Sequence, residues 1–281
     1  MLYKLMLLSL LALTSLTIFS QPVQDEEEVQ PWWEYGLNVG GYIPDNYGAN
    51  FYNGTGDNDI SRILDNQYRR EDIQRELGNR DFSLGERPQN MQYSMAVSPG
   101  FHIAYHTDSS TSFFVNMQYV KLQTSGLFSL EITYQDETFD DFEFFDIYGS
   151  EERVNINFGL RKAFTYDDQM AFYVLGGVNV NNTTVEENKI NIGSLTYSIK
   201  TNYSSTGYVP GTPVNEYNIK QGGIGFGGFA GAGGQFYFEN NLYIALDLTG
   251  YYTQTILPGR EHFALQFMPV FRLGYQSEYL F

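Results

Sequence analysis

Between residues 263 and 281 apolar and aromatic side chains recur at every second position. Phe263, Leu265, Phe267, Phe271, Leu273, Tyr275, Tyr279 and Phe281 are all odd-numbered, with Ala264, Gln266, Arg272, Gly274 and Gln276 between them. A repeat of two places these side chains on one face of a β-strand and leaves the other face polar. Such a strand needs either a second sheet to cover its greasy face or an apolar surrounding. Which of the two applies has to be read from the rest of the chain.

The same periodicity recurs upstream, and eight strands are predicted at 33–43, 91–106, 111–124, 151–164, 170–181, 223–238, 242–256 and 262–281. In the second, Tyr93, Met95, Val97, Pro99, Phe101, Ile103 and Tyr105 share a face. In the fourth, Val154, Ile156, Phe158 and Leu160 oppose Arg153, Asn155, Asn157 and Arg161, and in the seventh Leu242, Ile244, Leu246 and Leu248 oppose Tyr243, Ala245, Asp247 and Thr249. Each stretch can cover the ~9–11 residues that a tilted strand needs to cross a bilayer. The connections alternate: 107–110, 165–169 and 239–241 are tight polar turns, whereas 44–90, 125–150 and 182–222 are long and 257–261 is short. Long loops on one side and turns on the other fit a membrane barrel with both termini on the turn side. A secreted β-sandwich, the soluble alternative, has no reason to distribute its loops this way.

Residues 1–20 carry Lys4, an apolar run from Leu5 to Phe19 and then Ser20. This is the layout of a secretory signal peptide, with cleavage expected between Ser20 and Gln21. The chain has no cysteine, so neither a lipid-anchored cysteine nor a disulfide is available. Residues 21–32 read as an acidic leader through Asp25, Glu26, Glu27 and Glu28, ending at Trp32, which with Trp33 is placed to mark a bilayer interface. Aromatics make up 17% of the chain, more than a soluble core needs and in keeping with girdles at two interfaces. A formal charge of -17 excludes a nucleic-acid footprint and suits an exterior where divalent cations bridge negative groups.

Eight strands make a narrow barrel whose interior side chains can fill. The inward set by this register includes Glu34, Asn38, His102, Asn116, Gln118, Asn155, Arg161, Asn179, Gln235, Asp247, Gln266 and Arg272. Buried charges need partners, so Arg161 and Arg272 are expected to pair with Asp247 and Glu34 and to plug the lumen. Gly223-Ile224-Gly225-Phe226-Gly227-Gly228 fits G-x-G-x-x-G, but no helix follows to hold a pyrophosphate, and a strand reading is preferred over nucleotide binding. Of the three histidines only His262 falls near the long-loop rim, and no local motif supplies the Ser or Asp that catalysis would require. No catalytic residue, metal or cofactor is assigned.

The long loops are where binding is expected. Asp59–Leu77 reads as one or two short helices with an apolar stripe of Ile60, Ile63, Leu64, Tyr68, Ile73 and Leu77, either a lid on the barrel mouth or a docking face for another outer-membrane protein. Residues 125–150 carry Glu131, Asp136, Glu137, Asp140, Asp141, Glu143 and Asp146 with no basic residue, and read as a hairpin continuing the third and fourth strands; calcium on these carboxylates is the less favoured reading. Ile190, Ile192, Leu195, Tyr197 and Ile199 suggest a second hairpin. Glu131, Asp140 and Asp141, with Ile60, Ile63, Leu64 and Tyr68, are the candidate interaction residues.

The Ser20-Gln21 pair, the aromatic alternating strands and the Tyr279-Leu280-Phe281 end together resemble the small outer-membrane β-barrel proteins of Bacteroidota, the PorT-like group broadly similar to OmpX and OmpW. The resemblance implies export, insertion by the barrel assembly machinery with Tyr279 and Phe281 as the insertion signal, a pyroglutamate at Gln21, and contact with outer-membrane lipid and lipopolysaccharide. Some members belong to secretion or gliding assemblies, but the family shares little beyond its wall and transfers no activity. The expectation is an all-β chain: an eight-stranded antiparallel up-and-down transmembrane β-barrel over 33–281 with long extracellular loops, non-enzymatic, in the outer membrane of a Gram-negative bacterium with periplasmic termini. It would serve a larger outer-membrane complex. The alternatives are a barrel that transports or senses a small hydrophobic ligand, with the Gly-rich sixth strand as a lateral opening, and, behind it, a lipid A-modifying enzyme.

Overall fold

The computed structural model describes residues 31–133, 141–167, 169–200 and 221–277, with the backbone alone at 165–167. Ten strands form one antiparallel sheet: β1 Trp32–Tyr42, β2 Asp81–Leu84, β3 Ala96–His106, β4 Thr111–Thr133, β5 Asp141–Asp167, β6 Met170–Ile192, β7 Leu195–Ser198, β8 Gly222–Tyr237, β9 Leu242–Thr255 and β10 His262–Ser277. Eight of these make a ring. From β1 the ladder runs through β3, β4, β5, β6, β8, β9 and β10, and β10 returns to β1 from Trp33↔Ser277 to Gly40↔Val270.

The alternation of the sequence becomes an inside and an outside. Leu37, Val39, Phe101, Phe113, Met117, Phe158, Leu160, Val174, Val178, Leu246, Leu248, Phe267 and Leu273 are exposed on the outer wall. Their immediate neighbours, such as Asn38, His102, Asn116, Asn157, Asp247 and Arg272, are buried inside. Aromatic rings bound the apolar band at both ends. Trp33 packs on Tyr105 at 5.0 Å and Phe236 on Phe238 at 5.3 Å near the short turns; Tyr252 and Phe226 pack on Phe263 at 5.5 and 6.0 Å towards the long loops. Trp32 does not share the outer face with Trp33. Successive strand residues point to opposite sides, so Trp32 turns inward and stacks on His106 at 4.3 Å.

The strands at 111–124, 151–164 and 170–181 prove much longer than their membrane-type periodicity suggested. Pairing between β4 and β5 continues to Ile132↔Asp141, and β6 runs on to Ile192 before turning into β7. The hairpins expected above the wall are therefore direct extensions of it. β2 joins the free edge of β4, giving a sheet in the order β2-β4-β5-β6-β7 that stands clear of the ring. The second predicted strand instead begins late, at Ala96, with Tyr93 held by a lone bridge to Thr124. Gly223 to Gly228 lie within β8, laddered to β6 throughout and to β9 from Gly227, and among the described residues no helix follows them.

Two short helices, α1 Ser61–Leu64 and α2 Gln67–Glu76, cover one face of the projecting sheet. Ile60, Ile63, Leu64, Ile73 and Leu77 are buried in one cluster with Phe128, Leu130, Ile132, Ile147, Ile190 and Ile192. This is a small hydrophobic core above the ring, which we call the head. Tyr68 is not part of it and is 79% exposed. The chain breaks between the helices and Asn66 restarts the second as its N-cap, accepting from the Arg69 N–H at 3.3 Å. The helical phase is reset there, so the stripe begun at Ile60 does not continue through Tyr68.

Candidate functional site

At the short-turn end of the interior, Glu34 is fully buried and held by three side chains from two strands, β3 and β5. Arg161 grips it with two nitrogens, Nη1 to Oε1 at 3.1 Å and Nη2 to Oε2 at 2.6 Å, the bidentate geometry that makes such pairs strong. His106 Nε2 lies 2.9 Å from Oε2 and His102 Nε2 3.1 Å from Oε1. One layer above, Arg272 pairs with Asp247 at 2.7 Å and donates to Asn38 at 3.0 Å, while the Tyr173 hydroxyl donates to Asp247. The four charged residues expected inside thus form two separate pairs, each arginine with its own carboxylate. Phe114, Phe229 and Tyr251 fill the interior beyond them, with Phe114 and Phe229 at 6.0 Å.

The periodicity reading missed a second buried cluster, where ring meets head. Glu151 is fully buried and takes hydrogen bonds from Arg153 Nε at 2.7 Å, Tyr52 at 2.7 Å and Tyr93 at 2.9 Å. Arg153 also donates to the Tyr42 hydroxyl at 3.2 Å, and Tyr42 donates to Gln266. Burial and the adjacent Glu151 carboxylate hold the Tyr52 and Tyr93 phenols far above their usual value, so both stay protonated and donate. The first long loop is therefore pinned into the mouth of the ring by two tyrosines. Gly149 makes this possible: a Cβ there would sit 1.9 Å from the Tyr52 ring.

Ion pairs fasten the head itself. Arg87 meets Asp59 at 2.8 Å and Arg70 meets Asp81 at 2.6 Å. Burial works to raise Asp59, but the Ser61 N–H and Arg87 outweigh it and hold the carboxyl below the usual carboxylate range; Arg70 and the Phe82 N–H do the same for Asp81. A lowered folded-state value means stability that is present above the ordinary carboxylate pKa and lost as pH falls through the folded value. Hydrogen exchange across residues 44–90, corrected for intrinsic rate, is accordingly expected to stay flat down to about pH 4 and to accelerate below it. Asp59→Asn should flatten part of that acid response.

His262 does acquire an acidic partner, Asp45, which the sequence did not offer locally. Its Nε2 lies 2.7 Å from Asp45 and its Nδ1 3.0 Å from the Arg260 carbonyl. With an acceptor beside each ring nitrogen, the imidazole ties the first and last loops together. Among the acidic candidates, Glu131 accepts from Ser83 at 3.1 Å and Asp141 is exposed, while Asp140 lies outside the described residues, as do Tyr279 and Phe281. Among the described residues no three His, Asp or Glu side chains gather as a metal site would need. Ile60, Ile63 and Leu64 are spent on the protein's own core, which leaves Tyr68 as the exposed member of the docking set.

A dent of about 500 Å³ opens on the outer wall between Trp33, Phe113, Leu160 and Val178, with Gly159 and Gly176 in its floor. It is an apolar surface hollow, and the Phe114 ring lies behind Gly159, 2.6 Å from where a Cβ would stand. It also lies away from β8, where the lateral opening was expected.

A ring of eight antiparallel strands, apolar outside and polar inside, defines a β-barrel wall built for an apolar surrounding. No family model matches the sequence, and no curated protein matches it. Among solved structures the chain is similar to the outer membrane protein OprG from Pseudomonas aeruginosa, with 8% identity over 89% of this chain and 97% of that one and a TM-score of 0.43. It is also similar to Neisserial surface protein A, with 9% identity over 88% and 97% and a TM-score of 0.39. A third is Ail of Yersinia pestis in complex with the heparin analogue sucrose octasulfate, with 9% identity over 88% and 97% and a TM-score of 0.35.

Proposed function

We propose that this chain is an outer-membrane β-barrel of a Gram-negative envelope, with short turns and termini in the periplasm, which acts by binding through the folded head it holds outside the cell. The observation that carries this reading is the outer wall. Its exposed side chains form an apolar band bounded by aromatic rings at both ends, while the charged residues of the same strands are buried in pairs within. Water would punish that arrangement and a bilayer rewards it.

The head supports a role by attachment to other molecules, as a subunit or accessory of a larger outer-membrane assembly. It has its own core, two edge strands in β2 and β7, and an acidic exposed surface around Glu131, Asp141 and Asp146. Open strand edges can take a partner's strand. Fractionation should place the protein in the outer membrane, and unboiled samples should migrate differently from boiled ones in detergent gels. Mild-detergent purification from native membranes should then retain stoichiometric protein partners. Recovery in the soluble periplasmic fraction would overturn the barrel reading, and a lone barrel without partners would overturn the assembly role.

A further inference from the structure

The face of the projecting sheet that points away from the head's core holds a pocket of about 300 Å³, which shares with the loop lock only the backbone of Gly149. It lies beyond Tyr119 and Lys121, where β4 leaves the apolar band. A β-bulge shapes it. Ser150 is opposite Glu187 and Glu151 opposite Val185, so Glu186 is the extra residue and β6 bends there. The other wall is the segment Gln92–Ser94, tied to β4 by the Ser94 N–H to the Gln123 carbonyl at 3.0 Å and by Thr124 Oγ1 to the Gln92 carbonyl at 2.8 Å.

The chemistry of the lining narrows its occupant. Gln92, Ser94, Gln123, Ser125 and Ser150 present neutral amides and hydroxyls that make no side-chain hydrogen bond among the described residues, and the half-buried Tyr148 contributes an aromatic ring. The one charged residue in the lining, Glu187, is paired with Lys189 at 2.6 Å, and the Lys189 Nζ lies 6.0 Å from the Tyr148 ring. A phosphate finds no free cation here, a metal finds a single carboxylate, and an apolar ligand would strand the amides. Neutral donors and acceptors beside an aromatic face match a pyranose, whose ring hydroxyls give and take hydrogen bonds while its C–H face packs on the ring.

We propose that this pocket is a saccharide-binding site, taking a neutral sugar unit either from a glycolipid of the surrounding outer leaflet or from a free glycan. The placement outside the membrane rests on the barrel reading; the sugar chemistry does not. The test uses the purified full-length protein in detergent against an array of neutral oligosaccharides and against delipidated polysaccharide from the producing cell's own outer membrane. Binding is expected, with Tyr148→Ala and Gln123→Ala each weakening it by about tenfold or more. Phe144→Ala, on the same sheet but outside the pocket, should leave it unchanged, and heat-modifiable migration should be normal in all three. Binding confined to the cell's own polysaccharide identifies the neighbouring glycolipid, and binding of free glycans identifies capture from the surroundings. Absence of binding to every saccharide, or binding that survives both pocket substitutions, overturns the proposal. Because the assay needs no membrane, such a failure leaves the barrel reading standing.

Discussion

Glu34→Leu is expected to cost about 3–5 kcal/mol of stability, because it leaves the Arg161 guanidinium buried without its counter-charge. Arg161 is 3% exposed and keeps Gln235 at 3.1 Å, Ser112 at 3.0 Å, the neighbouring His106 and the Tyr173 ring at 5.2 Å, none of which carries a negative charge. The double variant Glu34→Leu/Arg161→Met should recover most of the loss, since a well-packed apolar pair often replaces a buried ion pair at little cost. Urea unfolding in micelles, followed by tryptophan fluorescence, reads this directly, as Trp32 stacks on His106 in the same layer. A single variant as stable as the parent would mean that the interior is wet enough to solvate Arg161 unaided. A double variant no better than the single would mean that shape, and not charge, holds this layer.

That interior was legible as composition but not as pairing. Period-two alternation put Glu34, Arg161, Asp247 and Arg272 inside, because inward and outward faces follow from strand geometry alone. Which arginine meets which carboxylate depends on register and stagger around the ring, across 127 residues for Arg161 and Glu34. No local pattern encodes that.

The head was legible in pieces. The helices at 61–76 and the hairpin strands carry their own periodicity, but the union of a loop from 44–90 with β4, β5 and β6 into one core is a long-range fact. Tyr52 and Tyr93 show the limit. Tyr93 sits in phase with Met95 and Val97, which are 67% and 68% exposed, yet it is buried, because the chain leaves the line of β3 before Ala96 and turns the phenol to Glu151. The one local sign of the cluster was Glu151 two residues before Arg153, opposite charges on one face of a strand.

The lock at the barrel mouth gives the second large effect. In Gly149→Val the new Cβ would fall 1.9 Å from the Tyr52 ring, deeper than any real contact, so the ring has to leave. Overpacking of this kind costs about 1–3 kcal/mol, and Glu151 also loses one of its two phenol donors. The strand itself can adopt the change, since Gly149 is paired on both sides and valine favours such a place. The damage should therefore fall on the loop and not on the wall. On intact cells, trypsin is expected to cut after Arg62, Arg69 or Arg70 in the variant far faster than in the parent, while heat-modifiable migration stays the same. Tyr52→Phe, which keeps the ring and removes only the hydroxyl, should lie between the two. Equal protection of parent and Gly149→Val would show that Tyr52 is not what holds the head on the ring, and would shift that role to the Tyr93–Glu151 and Asp45–His262 contacts.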